Sequence, residues 1–265
     1  MGSSQKSSIG ASGGKVDHSI DIDAIVELCT VEGERNGWEV EILGVTEDLN
    51  LVAMRREGEA NSKRLYISAG MHGDEPAPLL AVLRLLKRDV WPRDLDICLC
   101  PCLNPGGFRR AQRENEKGVD LNRQYHLPDN AQPETAKHIE WLDRQERFDV
   151  AMCLHEDWES WGFYMYELLR DEGDSFASEI LDSVKGASSI DCSDQIDGMA
   201  AKGGVIAPRG DYGNMMDEWP EAIWLMEKKA DVCYTFETSS ADPLILRVAA
   251  LVKAVNAVAR SLAGK

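Results

Sequence analysis

Residues 64–89 read RLYISAGMHGDEPAPLLAVLRLLKRD, and this stretch decides the fold class. The apolar run RLYISAG has the composition of a buried strand, and the apolar spacing in PLLAVLRLLKRD is typical of a helix. Pro76 stands in the first turn, where a helix tolerates proline. The stretch therefore predicts a strand, a turn that contains His72 and Glu75, and a helix.

Strand-like and helix-like segments alternate through the chain from Trp38 onward. WEVEILGV (38–45) and NLVAMRRE (50–57) predict a hairpin. Further strands are predicted at 95–102, 148–155, 162–168 and 231–237, and further helices at 133–145, about 174–186, 221–229 and 243–262. The alternation predicts an α/β domain with a mixed, mostly parallel twisted sheet and helices on both faces.

Composition limits the domain organisation and the partners. The chain has 265 residues, of which 43% are hydrophobic, and this is enough for one large core. Residues 1–19 are rich in Ser and Gly, so we expect a flexible leader there and one folded domain over 20–265. A net charge of −17 disfavours nucleic acid and anionic membranes as partners, because both would repel the protein surface.

The sequence also indicates a location. No stretch approaches the roughly 20 apolar residues that a membrane-spanning helix needs, and the N-terminus lacks the pattern of a secretory signal. We therefore expect a cytoplasmic protein. Its oligomeric state does not follow from the sequence.

Polar side chains follow three predicted strands where each strand ends. His72 and Glu75 follow RLYISAG, and His155 closes FDVAMCLH. Glu237 closes DVCYTFE. Ligands of α/β sheets gather at the carboxyl ends of strands, and two imidazole nitrogens with one carboxylate are a sufficient ligand set for catalytic zinc. Taken singly, His72 and Glu75 could also be a turn pair, and His155 a buried core histidine.

The segment CLNPGGFRRAQRENEKGVDLNRQYH (102–126) lies between the candidate ligands. Asn122 and Arg123 place an amide beside a guanidinium, which is suited to bidentate capture of a carboxylate. Arg113 is a second cation that would stabilise a developing oxyanion near a metal. The alternative is a solvated charged loop.

Together these residues resemble the zinc carboxypeptidases related to carboxypeptidase A, and within them the short bacterial branch that includes murein peptide amidase. The resemblance runs from about 64 to 262 and rests on HGDE (72–75), NPGGF (104–108), RENEKGVDLNR (113–123), His155 and FETSS (236–240). It implies a zinc carboxypeptidase-like catalytic domain over 20–265 that binds one Zn²⁺ per chain.

The resemblance also implies roles for the residues of the metal centre. His72, Glu75 and His155 would bind zinc, and Glu237 would be the general base. Asp120 falls where the family has an aspartate that orients the first ligand histidine, a role that makes physical sense for a metal-bound imidazole.

A second group of residues would bind the substrate. Asn122 and Arg123 would hold its terminal carboxylate, and Arg113 would polarise the scissile carbonyl. Tyr212 is the nearest candidate for the family's mobile tyrosine. The implied reaction is hydrolysis of an amide bond next to a free carboxylate, with small or murein-derived peptides as substrates.

The chain departs from the family pattern in two places. Asp74 stands where the pancreatic-type enzymes carry a substrate-binding arginine. After His155, Glu156 and Asp157 replace the usual residues; they either line the pocket or belong to a solvated turn.

The stretch before the last strand corresponds to the family's specificity pocket, and it is rich in charge. It contains Arg209, Asp211, Asp217, Glu218 and Glu221. The carboxylates are compatible with release of a cationic or zwitterionic residue such as lysine or diaminopimelate. A charged surface loop is the equal alternative.

Two other functions compete with the carboxypeptidase. A zinc-dependent deacylase of N-acyl amino acids, of the succinylglutamate desuccinylase and aspartoacylase type, shares HGxE, an Asn-Arg pair and a catalytic glutamate. Those relatives continue into a further β-rich domain, whereas one helix is expected after Glu237, which favours the peptidase. The third candidate is a non-enzymatic binding protein on the same fold.

Overall fold

A computed structural model describes residues 21–127, 131–170, 174–214 and 216–264. The leader predicted at 1–19 lies outside the described residues, so its flexibility stays a prediction, as does the domain boundary. Among the helices of the described residues, none is both long and apolar enough to cross a membrane.

The strands and helices follow the predicted alternation. The strands of the described residues are β1 (Glu39–Gly44), β2 (Asn50–Arg56), β3 (Lys63–Ser68), β4 (Leu95–Cys100), β5 (Phe148–Asp157), β6 (Tyr164–Leu169), β7 (Gln195–Ile196), β8 (Met199–Ala200), β9 (Val205–Ile206) and β10 (Ala230–Ser239). The helices are α1 (Ile22–Arg35), α2 (Pro76–Arg88), α3 (Pro105–Arg109), α4 (Pro133–Asp143), α5 (Ala177–Val184), α6 (Glu221–Lys228) and α7 (Leu244–Ala263), with 3₁₀ turns at Leu121–Arg123 and Tyr212–Asn214.

The main sheet is mixed. Within the described ranges it has eight strands in the order β1-β2-β4-β3-β5-β10-β6-β9. The pairs β3-β4, β3-β5, β5-β10 and β6-β9 are parallel, and β1-β2, β2-β4 and β6-β10 are antiparallel. The central strands therefore run parallel, and the predicted α/β domain is confirmed.

Helices cover both faces of this sheet. Leu65 and Ile67 of β3 belong to the hydrophobic cluster that contains α1, α2, α5 and α7. Tyr66, between them, belongs to the cluster that contains α4 and α6. This alternation of neighbouring side chains between two cores is what a strand buried on both faces requires.

Local signals account for both α2 and α1. Pro76 begins α2, and the backbone N–H of Asp89 closes the helix on the carbonyl of Leu85 from a left-handed conformation (φ 45°). Helix α1 was not predicted from the sequence. Its signals are nevertheless present: Ile22, Ile25, Val26 and Cys29 recur at helical spacing and pack into the first core, and the Asp21 side chain caps the helix start by accepting from the Ala24 N–H (3.1 Å).

Strand register brings the candidate residues to one edge of the sheet. Glu237 of β10 lies opposite His155 of β5 on one side and opposite Tyr164 of β6 on the other. One step back along the strands, on the same face, Thr235 lies between Cys153 and Tyr166. The sheet therefore supplies two rows of side chains, about 7 Å apart, beneath the site described next.

Candidate active site

His72, Glu75 and His155 form a compact buried cluster. Nδ1 of His72 lies 2.6 Å from Oε1 of Glu75, and Nδ1 of His155 lies 3.1 Å from Oε2. The ring centroids of the two histidines are 4.9 Å apart. One ligand atom from each of the three residues lies within 4.8 Å of the others, so the structure brings the predicted ligands together.

The turn that carries two of these residues depends on a close backbone approach. A Cβ added at Gly73 would lie 2.0 Å from the carbonyl carbon of Gly107. Asn104, fully buried, donates from Nδ2 to the carbonyls of Met71 (3.2 Å) and Arg113 (3.1 Å). Asn104 therefore joins the ligand turn to the following loop. The sequence marked it only as part of a turn signal.

The donor set fits a zinc ion. Two imidazole nitrogens converge on the two oxygens of one carboxylate, and all three side chains are buried. Such a set leaves further coordination positions for water or substrate, as catalytic zinc sites require.

Asp120 links the ligand cluster to the neighbouring cation. Its Oδ1 lies 3.3 Å from Nε2 of His72, and its Oδ2 accepts a hydrogen bond from Nε of Arg113 (3.1 Å). Burial acts to raise the pKa of Asp120, but the hydrogen bond and charge of His72 outweigh it and lower that pKa below its ordinary value. The predicted position of Asp120 beside the first histidine thus agrees with the geometry.

Arg113 and Glu237 flank the cluster. Nη1 of Arg113 lies 3.3 Å from Nδ1 of His72 and 3.8 Å from Oε1 of Glu75. Oε2 of Glu237 is buried and has no hydrogen-bond partner among the described residues. Burial and the negative charge of Glu75 raise the pKa of Glu237 well above the usual range of a carboxyl group, while Arg113 opposes this shift. A cation held by the cluster would act in the same direction as Arg113.

Asn122 and Arg123 lie on the 3₁₀ turn and face the same cleft. Nη1 of Arg123 donates to the carbonyl of Asn122 (2.9 Å), and Oδ1 of Asn122 accepts from the backbone N–H of Glu221 (2.9 Å). The cleft has a volume of about 1160 Å³ and is lined by these two residues together with the ligand cluster, Arg113 and Glu237. A carboxylate at Arg123 and a carbonyl near the cluster can therefore be bound in one space.

The structure does not support the predicted role of Tyr212. Its side chain is buried, and its hydroxyl accepts from the N–H of Leu169 (3.0 Å) and donates to the carbonyl of Leu169 (2.9 Å). Tyr212 is not among the described residues that line the cleft. Its hydroxyl holds the 3₁₀ turn against β6, so the assignment as the mobile tyrosine is corrected.

Two other tyrosines, on β6, do line the cleft. The hydroxyl of Tyr164 donates to Oδ2 of Asp157 (3.0 Å), and the hydroxyl of Tyr166 donates to Oδ2 of Asp197 (2.5 Å). The sequence could not select them, because only the antiparallel pairing of β6 with β10 places them beside Glu237.

Glu156 and Asp157 also line the cleft, as does Asp74. The Glu156 side chain is fully buried, and its Oε1 accepts from Nη1 of Arg247 on α7 at 2.5 Å. Arg247 was not singled out by the sequence. Trp158 (66% exposed) and Trp161 (83% exposed) form part of the rim.

The stretch before β10 contributes to the cleft, but its carboxylates do not. Asp211, Asp217 and Glu218 are exposed and do not line the cleft, in the part of the chain that the structure describes. Glu221 is buried beneath it. The cleft wall in this region consists mainly of apolar side chains, namely Leu168, Pro208, Met216, Pro220, Ala222 and Ile223.

Known proteins resemble this chain in sequence and in fold. Residues 61–188 match the family model of the succinylglutamate desuccinylase/aspartoacylase catalytic domain. A curated relative, carboxypeptidase SOL1 of Arabidopsis thaliana, is 29% identical over 151 residues, which is 49% of this chain and 29% of the plant protein. The chain thus matches less than a third of that relative's length.

Solved structures extend the likeness to nearly the whole chain. A provisionally assigned metallopeptidase from Shewanella amazonensis superposes with a TM-score of 0.79 and 25% identity, over 92% of this chain and 94% of that one. The match to metallo-carboxypeptidase from Burkholderia cenocepacia (TM-score 0.65, 17% identity) covers 90% of this chain and 69% of that one. The match to carboxypeptidase A from Helicoverpa armigera (TM-score 0.64, 15% identity) covers 96% of this chain and 75% of that one. The chain therefore has the metallocarboxypeptidase fold, and it resembles both the carboxypeptidases and the succinylglutamate desuccinylase/aspartoacylase catalytic domain.

Proposed function

We propose that this protein is a zinc-dependent carboxypeptidase that hydrolyses the amide bond next to a free terminal carboxylate in small peptides. The observation that carries the proposal is the presence, in one cleft, of the His72–Glu75–His155 cluster, the unpartnered carboxylate of Glu237 and the guanidinium of Arg123. A site with a metal, a base and an anion clamp is suited to cutting at a carboxyl terminus.

Each residue has a definite task in this proposal. Arg123 binds the terminal carboxylate, with the Asn122 amide beside it, and so fixes which bond is presented. His72, Glu75 and His155 would hold one zinc ion per chain, which when bound would supply Lewis-acid activation of water and of the scissile carbonyl.

Proton transfer and charge stabilisation fall to two further side chains. Glu237 accepts a proton from the attacking water and delivers it to the leaving amine. Arg113 stabilises the negative charge that develops on the carbonyl oxygen. Asp120 keeps His72 and Arg113 oriented through contacts with both.

The substrate class that we propose is short peptides with a free carboxyl terminus, murein-derived peptides among them, in the cytoplasm. The side chain of the released residue would point to the row formed by Cys153 and Thr235 and to the apolar wall from Leu168 and Ile223. This wall favours an uncharged side chain over the cationic one that the acidic stretch suggested.

A second candidate is a deacylase of N-acyl amino acids, and the family-model match over 61–188 favours it. The same clamp would hold the carboxylate of the amino acid product. The acyl group would then occupy the part of the cleft beside Asp157 and Trp158.

Side-by-side turnover separates these functions. The zinc-loaded protein is assayed with a tripeptide, the same tripeptide amidated at its carboxyl terminus, γ-D-glutamyl-diaminopimelate, and N-acetyl and N-succinyl amino acids. We expect the free tripeptide to be cleaved fastest. Faster turnover of the N-acyl amino acids would favour the deacylase, and equal turnover of free and amidated tripeptides would contradict the carboxylate clamp. Zinc binding without turnover of any compound would favour a binding protein.

A further inference from the structure

The segment that carries Asn122 and Arg123 is anchored at two points. At its start, Oδ1 of Asp120 accepts from the N–H of Asn122 (2.9 Å), and Asp120 also contacts His72 and Arg113. At the other point, Oδ1 of Asn122 accepts from the backbone N–H of Glu221, the first residue of α6. The first anchor ties the segment to the metal ligands, and the second ties it to a helix.

Glu221 is in turn held by the strand that leads to the metal ligands. Its side chain is 1% exposed, and its two carboxyl oxygens accept from the hydroxyls of Tyr66 (2.8 Å) and Ser68 (2.8 Å). Both donors lie on β3, and Ser68 precedes His72 by four residues. A continuous path of contacts therefore runs from the ligand strand through Glu221 to the Asn122 amide.

A second set of buried bonds completes this path. The hydroxyl of Tyr66 lies 2.7 Å from Nε2 of His138, and the hydroxyl of Tyr125 lies 2.7 Å from Nδ1. Burial lowers the pKa of His138 to about 3, so the ring is neutral near pH 7. A neutral ring with its proton on Nε2 donates to Tyr66 and accepts from Tyr125, which leaves the Tyr66 proton for Glu221. Every polar side chain of this network has a hydrogen-bond partner, and a fully bonded buried network favours a single geometry.

Helix α6 needs this outside partner. Pro220 occupies its N-cap and makes no capping hydrogen bond through a side chain, so the Glu221 N–H, one of the free groups at a helix start, is satisfied by Asn122. The bond is therefore mutual: the helix start orients the amide, and the amide caps the helix.

We propose that Glu221 is a positioning residue that fixes the distance between the Asn122–Arg123 clamp and the His72–Glu75–His155 cluster. This inference rests on the proposed function, because it gives the clamp a substrate carboxylate to hold. Removing the Glu221 carboxylate frees the start of α6 from β3, so Asn122 and Arg123 move relative to the metal ligands. Small displacements of a binding group have large kinetic effects when it sets the position of the scissile bond.

The test is the preference for a free over an amidated carboxyl terminus, measured as the ratio of kcat/KM values. Glu221→Ala should reduce this ratio about 10- to 100-fold by slowing the free peptide, with zinc content unchanged. Glu221→Gln retains a carbonyl acceptor for Tyr66 and a polar group for Ser68, so it should keep most of the preference. Ser68→Ala removes one of the two bonds and should give a smaller loss, which provides the measurement if Glu221→Ala does not fold.

Glu167→Ala is the matched control. Glu167 is also a buried glutamate (4% exposed), bonded to Tyr234, Ser175 and Arg209 and without a described contact to Asn122. It should lower thermal stability and leave the preference unchanged. If Glu221→Ala keeps the full preference for the free carboxyl terminus, the positioning role is overturned while the proposed function stands. The same holds for Ser68→Ala if that variant is the one measured. An equal loss in Glu167→Ala also overturns it. If the unmodified protein itself shows no preference for the free carboxyl terminus, the result contradicts the proposed function, on which this inference rests.

Discussion

The two ends of the cleft are built in different ways. His72 and Glu75 lie in the turn after β3, and His155 lies near the carboxyl end of β5, which pairs with β3 in parallel, so strand pairing largely determines their spacing. Asn122 and Arg123 lie on a 3₁₀ turn, whose position depends on hydrogen bonds to Asp120 and Glu221. Strand order therefore determines the position of the first group, which we call the chemical end of the cleft. A few long-range contacts determine the position of the second group, which we call the recognition end. We expect substitutions at the first end to abolish reaction and substitutions at the second to change selectivity.

The largest loss of activity should come from substitutions at the chemical end. In a His72→Ala, His155→Ala double variant, one carboxylate is left to hold the ion, so bound zinc should fall from about one per chain to near zero and turnover should be lost. Elemental analysis after dialysis measures this directly. Equal zinc in the double variant and the unmodified protein would show that the ion is held elsewhere.

Glu237→Gln tests the chemical end without removing a ligand. The amide preserves shape but cannot accept a proton, so kcat should fall by about 10²- to 10⁴-fold. Zinc content and the circular dichroism spectrum should stay unchanged. An unaltered kcat would move the general base to another cleft carboxylate, with Glu156 the next candidate.

Arg123→Ala tests the recognition end. Leaving a substrate carboxylate unpaired should lower kcat/KM for the free peptide by about 30- to 300-fold, and the amidated peptide should change little. Arg110→Ala is the matched control, because Arg110 is exposed and its side chain donates only to the Glu116 carbonyl among the contacts described. If both peptides slow equally in Arg123→Ala, the two ends of the cleft do not divide their tasks as stated.

The network behind the recognition end should appear in the pH dependence of stability. Burial raises the pKa of Glu221 to about 7 from an ordinary 4.5, so the folded state holds this proton more tightly than the unfolded state. The associated stability is fully present below pH 4.5 and is lost as the pH rises towards 7. The unfolding free energy of the unmodified protein should therefore fall by roughly 1–3 kcal/mol over this range relative to Glu221→Gln. Urea titrations at matched zinc concentration measure the difference, and parallel pH curves would contradict it.

The smallest effect is expected at Tyr212. Tyr212→Phe removes a hydroxyl that bonds the Leu169 backbone, so unfolding free energy should fall by about 1 kcal/mol while kcat/KM stays within about 2-fold. Denaturant unfolding and peptide turnover are measured on the same preparation. A lower kcat with unchanged stability would contradict this structural role and support the original assignment of Tyr212 to the substrate site.

Strand patterns predicted that His72, Glu75, His155 and Glu237 meet at one edge of the sheet, and the structure places them there. The apolar runs before His72 and up to His155 and Glu237 are short and continuous, as buried strands require, and parallel strands present their carboxyl ends at one edge. Helix α1 was missed, although Ile22, Ile25, Val26 and Cys29 recur at helical spacing and Asp21 is a typical N-cap residue.

Long-range contacts explain what the sequence could not predict. Glu221 contacts Tyr66 and Ser68 across more than 150 positions, and Arg247 meets Glu156 across 91. Spacing along the chain carries no signal for such pairs. The error at Tyr212 has the same origin: a tyrosine at a plausible interval before Glu237 can direct its hydroxyl to the cleft or to the backbone of β6, and only the packing of the turn decides which.

The two tryptophans at the rim give the molecule an internal optical probe. Of the seven tryptophans, Trp38, Trp91, Trp141 and Trp224 are buried and Trp219 is partly buried, whereas Trp158 and Trp161 are 66% and 83% exposed beside the cleft. A ligand that displaces water from these two rings should shift their emission to shorter wavelength, while the buried rings provide a constant background. Ligand occupancy in inactive variants such as Glu237→Gln can then be followed by intrinsic fluorescence, without a label and without turnover.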